Sequence, residues 1–164
     1  MKTLATFNDE TVSENDLKTF QHRQAVRIIV VDSEKNIALL HVVRNNFHEL
    51  PGGGVEEQET PTEGALRECR EEIGCIVEID SELGTTLEYR KENTLINESV
   101  CFTAHVVGEK GLQQLEDDES ESEMKVLWVS PGKAIELIKT SVPKNLYDTY
   151  VMKRDITFIE AFTA

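Results

Sequence analysis

Arg67, Glu68, Glu71 and Glu72 fall within a turn and a half of any helix that carries them, with a further acid at Glu59 and the run Gly52-Gly53-Gly54 ahead of them. Residues three and four apart on a helix are surface neighbours, so Glu68, Glu71 and Glu72 crowd one side, with a rise of only about 6 Å from first to last. Carboxylates this close repel and raise one another's pKa values, and a divalent cation relieves that repulsion. Oxygen-only ligands favour Mg²⁺ or Mn²⁺ over zinc. Mg²⁺ held by a few carboxylates keeps several waters and takes further ligands from a substrate phosphate. The acids therefore point to phosphoryl chemistry. Taken alone, three glutamates also fit a solvated helix face, and three glycines also fit an ordinary turn.

The elements that position these residues are written around them. Ala65, Leu66, Cys69 and Ile73 recur at spacings of three and four and predict an apolar stripe, with the charged residues, Glu72 included, on the remaining, solvent- or metal-facing surface. Thr60 suits an N-cap, Pro61 the first helical position, Glu63 a capping box and Gly74 a left-handed C′ residue, so the helix is expected over residues 61–73. Strands are expected over 24–32 and 36–43, joined by the turn 33–35, within 76–87, over 98–107 and over 124–129. In the 98–107 strand Val100, Phe102, Ala104 and Val106 alternate with Cys101, Thr103 and His105. Pro131 opens one helix, over 132–139, and Pro143 a second, reaching about residue 162.

On these residues the chain resembles the Nudix hydrolases. The box of that family is met by Gly53, Glu59, Arg67, Glu68, Cys69, Glu71, Glu72, Gly74 and Cys75, with cysteine serving twice as the apolar residue. The match at this many fixed positions removes most of the weight from the solvated-face and plain-turn alternatives. The resemblance, firm over the box and looser over 23–142, implies an α/β fold, an α/β/α sandwich about a mixed sheet; the length of 164 residues fits a single domain over 1–164, with an N-terminal segment 1–22, a core 23–142 and a C-terminal helix 143–164. It implies Mg²⁺- or Mn²⁺-dependent hydrolysis of a nucleoside diphosphate linked to another group. It further implies that Glu68, Glu71 and Glu72 hold the cations, with the Gly53 carbonyl as a further ligand and Glu59 a weaker one. Arg67 would orient a glutamate through a salt bridge. Glu72 or Glu71 is favoured as the base, with a loop glutamate as rival.

The 164 residues carry a formal net charge of −14, which counts against a long nucleic acid as substrate, because phosphate backbones are bound mainly by Lys and Arg. A small nucleotide that meets its cation in the site is compatible with that charge. No run of about 18 apolar residues occurs, so no membrane span is expected, and the acidic start of the chain argues against a signal peptide. A cytoplasmic protein is expected, with Cys69, Cys75 and Cys101 as reduced thiols outside the chemistry. Residues 116–123 hold six acids in eight. They read as a solvated loop, although Glu119, Glu121 or Glu123, or Glu98 on its strand, is a candidate distal ligand. Arg27, Arg44 and Tyr89 are candidates for substrate contact. Nucleoside triphosphates, oxidised ones among them, lead as substrates, ahead of dinucleoside polyphosphates and of ADP-ribose or nucleotide sugars. A nucleotide-sensing or protein-binding module without catalysis is the alternative of another class. The C-terminal helix, with Leu146, Tyr150, Val151, Phe158, Ile159 and Phe162, covers the sheet or forms the seam of a homodimer, the first reading being favoured.

Overall fold

The computed structural model of the chain describes residues 2–115 and 123–164, so Glu119 and Glu121 lie outside the described residues. Among these, seven strands form one mixed sheet: β1 (Thr3–Phe7), β2 (Gln21–Val31), β3 (Ile37–Val42), β4 (Phe47–Glu49), β5 (Val77–Arg90), β6 (Leu95–Val106) and β7 (Met124–Val129). Four helices accompany them: α1 (Glu14–Leu17), α2 (Pro61–Ile73), α3 (Pro131–Thr140) and α4 (Leu146–Thr163). The strand order is β1-β5-β6-β2-β3-β4, with β7 on β3. Strands β2 and β6 run parallel from Gln21 opposite Leu95 to Val31 opposite His105, β5 and β6 form a long antiparallel pair, and β1 lies parallel to β5.

Helix α2 has the expected ends. Thr60 Oγ1 accepts from Glu63 N, Glu63 reaches back to Thr60 N, Pro61 occupies the first turn, and Gly74 adopts the left-handed conformation at φ 64°. Two apolar layers sandwich the sheet. On one side Val26, Ile28, Val30, Val100, Phe102 and Ala104 pack against Ala65, Cys69 and Ile73 of α2. On the other, Ile29, Leu39 and Cys101 pack against Ala134 and Ile138 of α3 and Phe158 and Ile159 of α4. Because both faces are covered, Val100 to Ala104 are all buried, so both sets of the alternating residues in this central strand meet a core. Tyr150, Val151, Phe158 and Ile159 of α4 are buried within the one chain, while Leu146 and Tyr147 stay exposed.

Three expectations shift. Strand β5 continues through Glu88, Tyr89 and Arg90, because Glu88 and Arg90 are buried against α4 rather than marking the strand's exposed end. The last helix starts at Leu146, not at Pro143, because the Asn145 side chain caps it by accepting from Asp148 N. The N-terminal segment forms β1, an edge strand of mixed burial that shows no clear apolar alternation. No described helix is long and apolar enough to cross a membrane.

Candidate active site

Helix α2 turns two of its acids inward. Glu68 and Glu72 are 6% and 4% exposed and share the buried face with Ala65, Cys69 and Ile73, so of the solvent- or metal-facing surface expected for Glu72 the structure rules out the solvent. A segment after β4, residues 50–54, runs against that face. It is held by β2, where Ile28 N donates to Pro51 O at 3.0 Å, Val26 N to Gly53 O at 2.9 Å, and Val55 N to Gln24 O at 3.0 Å. It is held from α2 by Glu72, whose Oε2 accepts from Gly52 N at 2.6 Å. Gly52 has φ +136°, and a Cβ there would stand 2.1 Å from Val26 O, so no other residue fits. A Cβ on Gly53 would stand 2.3 Å from Glu68 Oε1. The missing side chain is what lets this carboxylate lie against the backbone.

Arg67 gathers the rest. Its Nε donates to Glu59 Oε1 at 2.9 Å and its Nη2 to Glu59 Oε2 at 3.1 Å, while Nη1 donates to Glu68 Oε1 at 2.9 Å and Glu71 Oε2 at 3.0 Å. Nη2 also donates to Gly54 O at 3.0 Å, so all five N–H donors of the guanidinium are used. This environment drives the Arg67 pKa further above its ordinary value, Glu59 contributing most, and the same hydrogen bonds hold the Glu59 carboxyl below the usual range. Burial pushes Glu68 up against the pull of Arg67. Burial, with Glu68 beside it, pushes Glu72 well up, the Gly52 N–H opposing.

Among the described residues no three carboxylate, imidazole or thiolate groups converge as a ready cage. Arg67 nevertheless takes only one oxygen of Glu68 and one of Glu71. An all-oxygen set, two of whose carboxylates are buried beyond what one guanidinium compensates, beside a carbonyl with a second lone pair, is chemically suited to a hard divalent cation.

The other candidates scatter. Arg27 is buried on the α4 side of the sheet, donating to Val26 O at 2.6 Å, and desolvation lowers its pKa. Arg44 is exposed in the 3₁₀ turn Val43–Asn45. Tyr89 packs with Val12, Phe20 and Ile96. Glu98 accepts from Gln24 Nε2 at 3.1 Å on the same side of the sheet as α2. Glu123 is exposed, and its carbonyl accepts from Val43 N. Cys69, Cys75 and Cys101 are free and buried, and burial pushes all three thiols up, which removes thiolate reactivity.

A group that the motif does not include lies between the sheet and α4. Glu88, Arg154 and Asp155 are at most 1% exposed, and Arg90 is 5% exposed. Arg90 Nε donates to Glu88 Oε2 at 2.9 Å, and its guanidinium stacks 3.1 Å from the centre of the Tyr147 ring. Arg154 Nε donates to Asp155 Oδ1 at 2.7 Å, and Asp155 Oδ2 accepts from Leu50 N at 2.8 Å. Among the described residues, Arg27 Nε, Thr86 Oγ1, Glu88 Oε1, Arg90 Nη1 and Arg154 Nη2 are buried and find no hydrogen-bond partner. One sequence signal foretells the group. Arg154 and Asp155 fall on the helical stripe that also carries Tyr150, Val151, Phe158 and Ile159, where apolar residues belong.

Residues 21–150 match the family model of the NUDIX domain, and the chain belongs to that family. An RNA pyrophosphohydrolase of Alkalilimnicola ehrlichii is 30% identical over 110 residues, which are 59% of this chain and 61% of that protein. A MutT-like protein of Streptomyces ambofaciens is 38% identical over 63 residues, 38% of this chain and 41% of that one. The chain thus spans less than two thirds of the length of either relative. The crystal structure of a MutT protein from Methanosarcina mazei superposes over 88% of this chain and 94% of that one, with a TM-score of 0.61 at 22% identity. That is a likeness of fold.

Proposed function

We propose that the protein is a cytoplasmic, divalent-metal-dependent pyrophosphohydrolase acting on nucleoside triphosphates, oxidised ones included. The observation that carries this reading is the gathering of Glu59, Glu68 and Glu71 on the single guanidinium of Arg67, beside Glu72 and the Gly53 backbone. The Gly53 carbonyl, Glu68, Glu71 and Glu72 would hold Mg²⁺ or Mn²⁺, with Glu59 contributing more weakly. Bound there, the cation would neutralise phosphate charge and acidify a water for attack on phosphorus. Arg67 fixes which oxygens of Glu68 and Glu71 face away from it. Glu71, more exposed than Glu68 and Glu72 at 28% of its side chain, or Glu72 takes the proton from the attacking water.

For the substrate, a cavity of about 330 Å³ lined by Phe47, Glu49, Tyr147 and Val151 adjoins the strand that leads into residues 50–54. That is near the lower bound, about 300 Å³, of small-molecule sites. The net charge of −14 favours a small nucleotide over a polyanion. The name of the Alkalilimnicola relative supports a second reading, removal of pyrophosphate from the 5′ end of RNA. A panel of nucleoside triphosphates, oxidised nucleotides, dinucleoside polyphosphates, ADP-ribose, nucleotide sugars and 5′-triphosphate RNA, run with Mg²⁺ and analysed by mass spectrometry, tests both. Glu72→Gln serves as control: glutamine keeps an oxygen for the Gly52 amide, so the fold should persist while turnover falls by about two decades or more. Nucleoside triphosphate turnover that survives in Glu72→Gln would remove Glu72 from the site, and RNA as the preferred substrate would replace the first reading by the second. Silence across the panel from folded, nucleotide-binding protein would favour a sensing module.

A further inference from the structure

The segment 50–54 is gripped from three directions, and only one of the gripping residues, Glu72, belongs to the motif. Strand β2 holds its carbonyls, and Glu72 of α2 holds the Gly52 amide. The third grip comes from the far side of the sheet. There Asp155, in the middle of α4 and fully buried, accepts from Leu50 N at 2.8 Å with one carboxylate oxygen, while the other is fixed by Arg154 Nε at 2.7 Å. Arg154 Nη1 in turn stands 3.6 Å from Glu88 Oε1, and Glu88 is held by Arg90. A buried acid thus reaches across from a helix outside the motif to the residue three positions before Gly53.

This arrangement is a poor way to build stability. Buried ion pairs lose in desolvation much of what they gain in attraction, and apolar residues of like volume often stabilise more. Here, among the described residues, Glu88 Oε1 and Arg154 Nη2 find no hydrogen-bond partner. A helix that needed only to cover the sheet would continue its apolar stripe through positions 154 and 155. What the carboxylate supplies and an apolar residue lacks is a directed acceptor for the Leu50 amide. A guanidinium in turn fixes the direction of that carboxylate.

We propose that Asp155, oriented by Arg154, is a positioning residue for the pyrophosphohydrolase reaction: it fixes segment 50–54 so that the Gly53 carbonyl and the Gly52–Glu72 contact sit where the acids of α2 require them. The inference rests on the proposed activity, yet one of its readouts does not depend on turnover.

Asp155→Asn keeps a single carbonyl oxygen, which serves Leu50 or Arg154 but not both. Amide exchange over residues 50–54 in this variant should quicken by about tenfold or more, since local opening there loses one of its restraints. With the substrate found above, kcat should fall about tenfold while KM moves by less than about twofold, because alignment rather than ground-state binding is lost. Phe158→Leu, on the same helix and buried, is the stability-matched control. It should lower Tm comparably, quicken exchange in α4 and leave kcat within about twofold. Unchanged exchange over 50–54 in Asp155→Asn, or an equal loss of kcat in Phe158→Leu, would overturn the proposal. Should Asp155→Asn fail to fold, Arg154→Lys removes the fixed fork and leaves the carboxylate. Faster exchange over 50–54 in that variant supports the positioning role, and unchanged exchange overturns it. If no substrate is turned over by the wild type, the exchange result still stands and only the activity reading fails.

Discussion

Arg67 and its acids form a set in which each member has a different burden. Glu59 is held as an anion by a two-pronged contact, Glu68 lies in the space of a missing glycine side chain, and Glu72 is buried deepest with a backbone amide as its partner. The spacing of these residues was readable because a motif fixes residue type and interval together. Their direction was not, since periodicity assigned the inner face of α2 to apolar residues alone. The inner face in fact takes two acids as well, because segment 50–54 brings backbone amides and a side-chain-free glycine to meet them. A consequence belongs to Arg67. Lysine offers a point charge with three donors where five N–H groups are now in use, and it cannot reproduce the fork on Glu59. Arg67→Lys should therefore lower kcat/KM by roughly 10–100-fold with little loss of Tm, checked by steady-state kinetics and calorimetry. A variant with wild-type kinetics would show that charge alone suffices there.

Elements were legible where their own side chains set their limits. Helix α2 carries both of its caps in sequence, and β2, β3 and β7 read as strands through their apolar runs. Strand β1 and the last residues of β5 were hidden because their stability comes from partners distant in the chain: β1 from its parallel ladder with β5, Glu88 and Arg90 from α4. A second device of this kind joins β3, β4 and α3. The rings of His41 and His48 stack 4.4 Å apart, and buried His48 is tied through its backbone N and Nδ1 to Ser141 Oγ at the end of α3. Burial, and secondarily His41, lowers the His48 pKa. The native state thus resists a proton that the unfolded chain accepts at about pH 6.5. The sign follows: this contribution is present above about pH 6.5 and is lost as pH falls through the lowered native value. Urea unfolding between pH 7.5 and 5 should show wild type losing stability in that window. His48→Gln, which keeps a partner for Ser141, should lose less. Parallel losses in the two proteins would assign the acid sensitivity elsewhere.

At the scale of the molecule, the sheet carries two unlike layers. The α2 side joins an apolar core to acids at its rim. The α4 side joins an apolar core to a buried polar cluster that composition and motif leave unannounced: the stripe of α4 sets Arg154 and Asp155 among core positions, while Glu88 and Arg90 look like surface residues until β5 and α4 are laid together. How the cluster stabilises itself is open to a direct test. Removing Arg90 alone leaves Glu88 with Arg154 as its remaining cation, at 3.6 Å, and losing one member of a buried pair costs about 3–5 kcal/mol. Replacing Glu88 as well removes the stranded charge and its unpartnered oxygen. Glu88→Met/Arg90→Leu should therefore be more stable than Arg90→Leu alone, with a coupling of about 1–3 kcal/mol in a double-mutant cycle read by denaturant unfolding. Strict additivity would mean that the two side chains are solvated independently. A double variant as stable as the wild type would instead mark the Glu88–Arg90 pair as one retained for something other than stability, as segment 50–54 requires of Arg154 and Asp155.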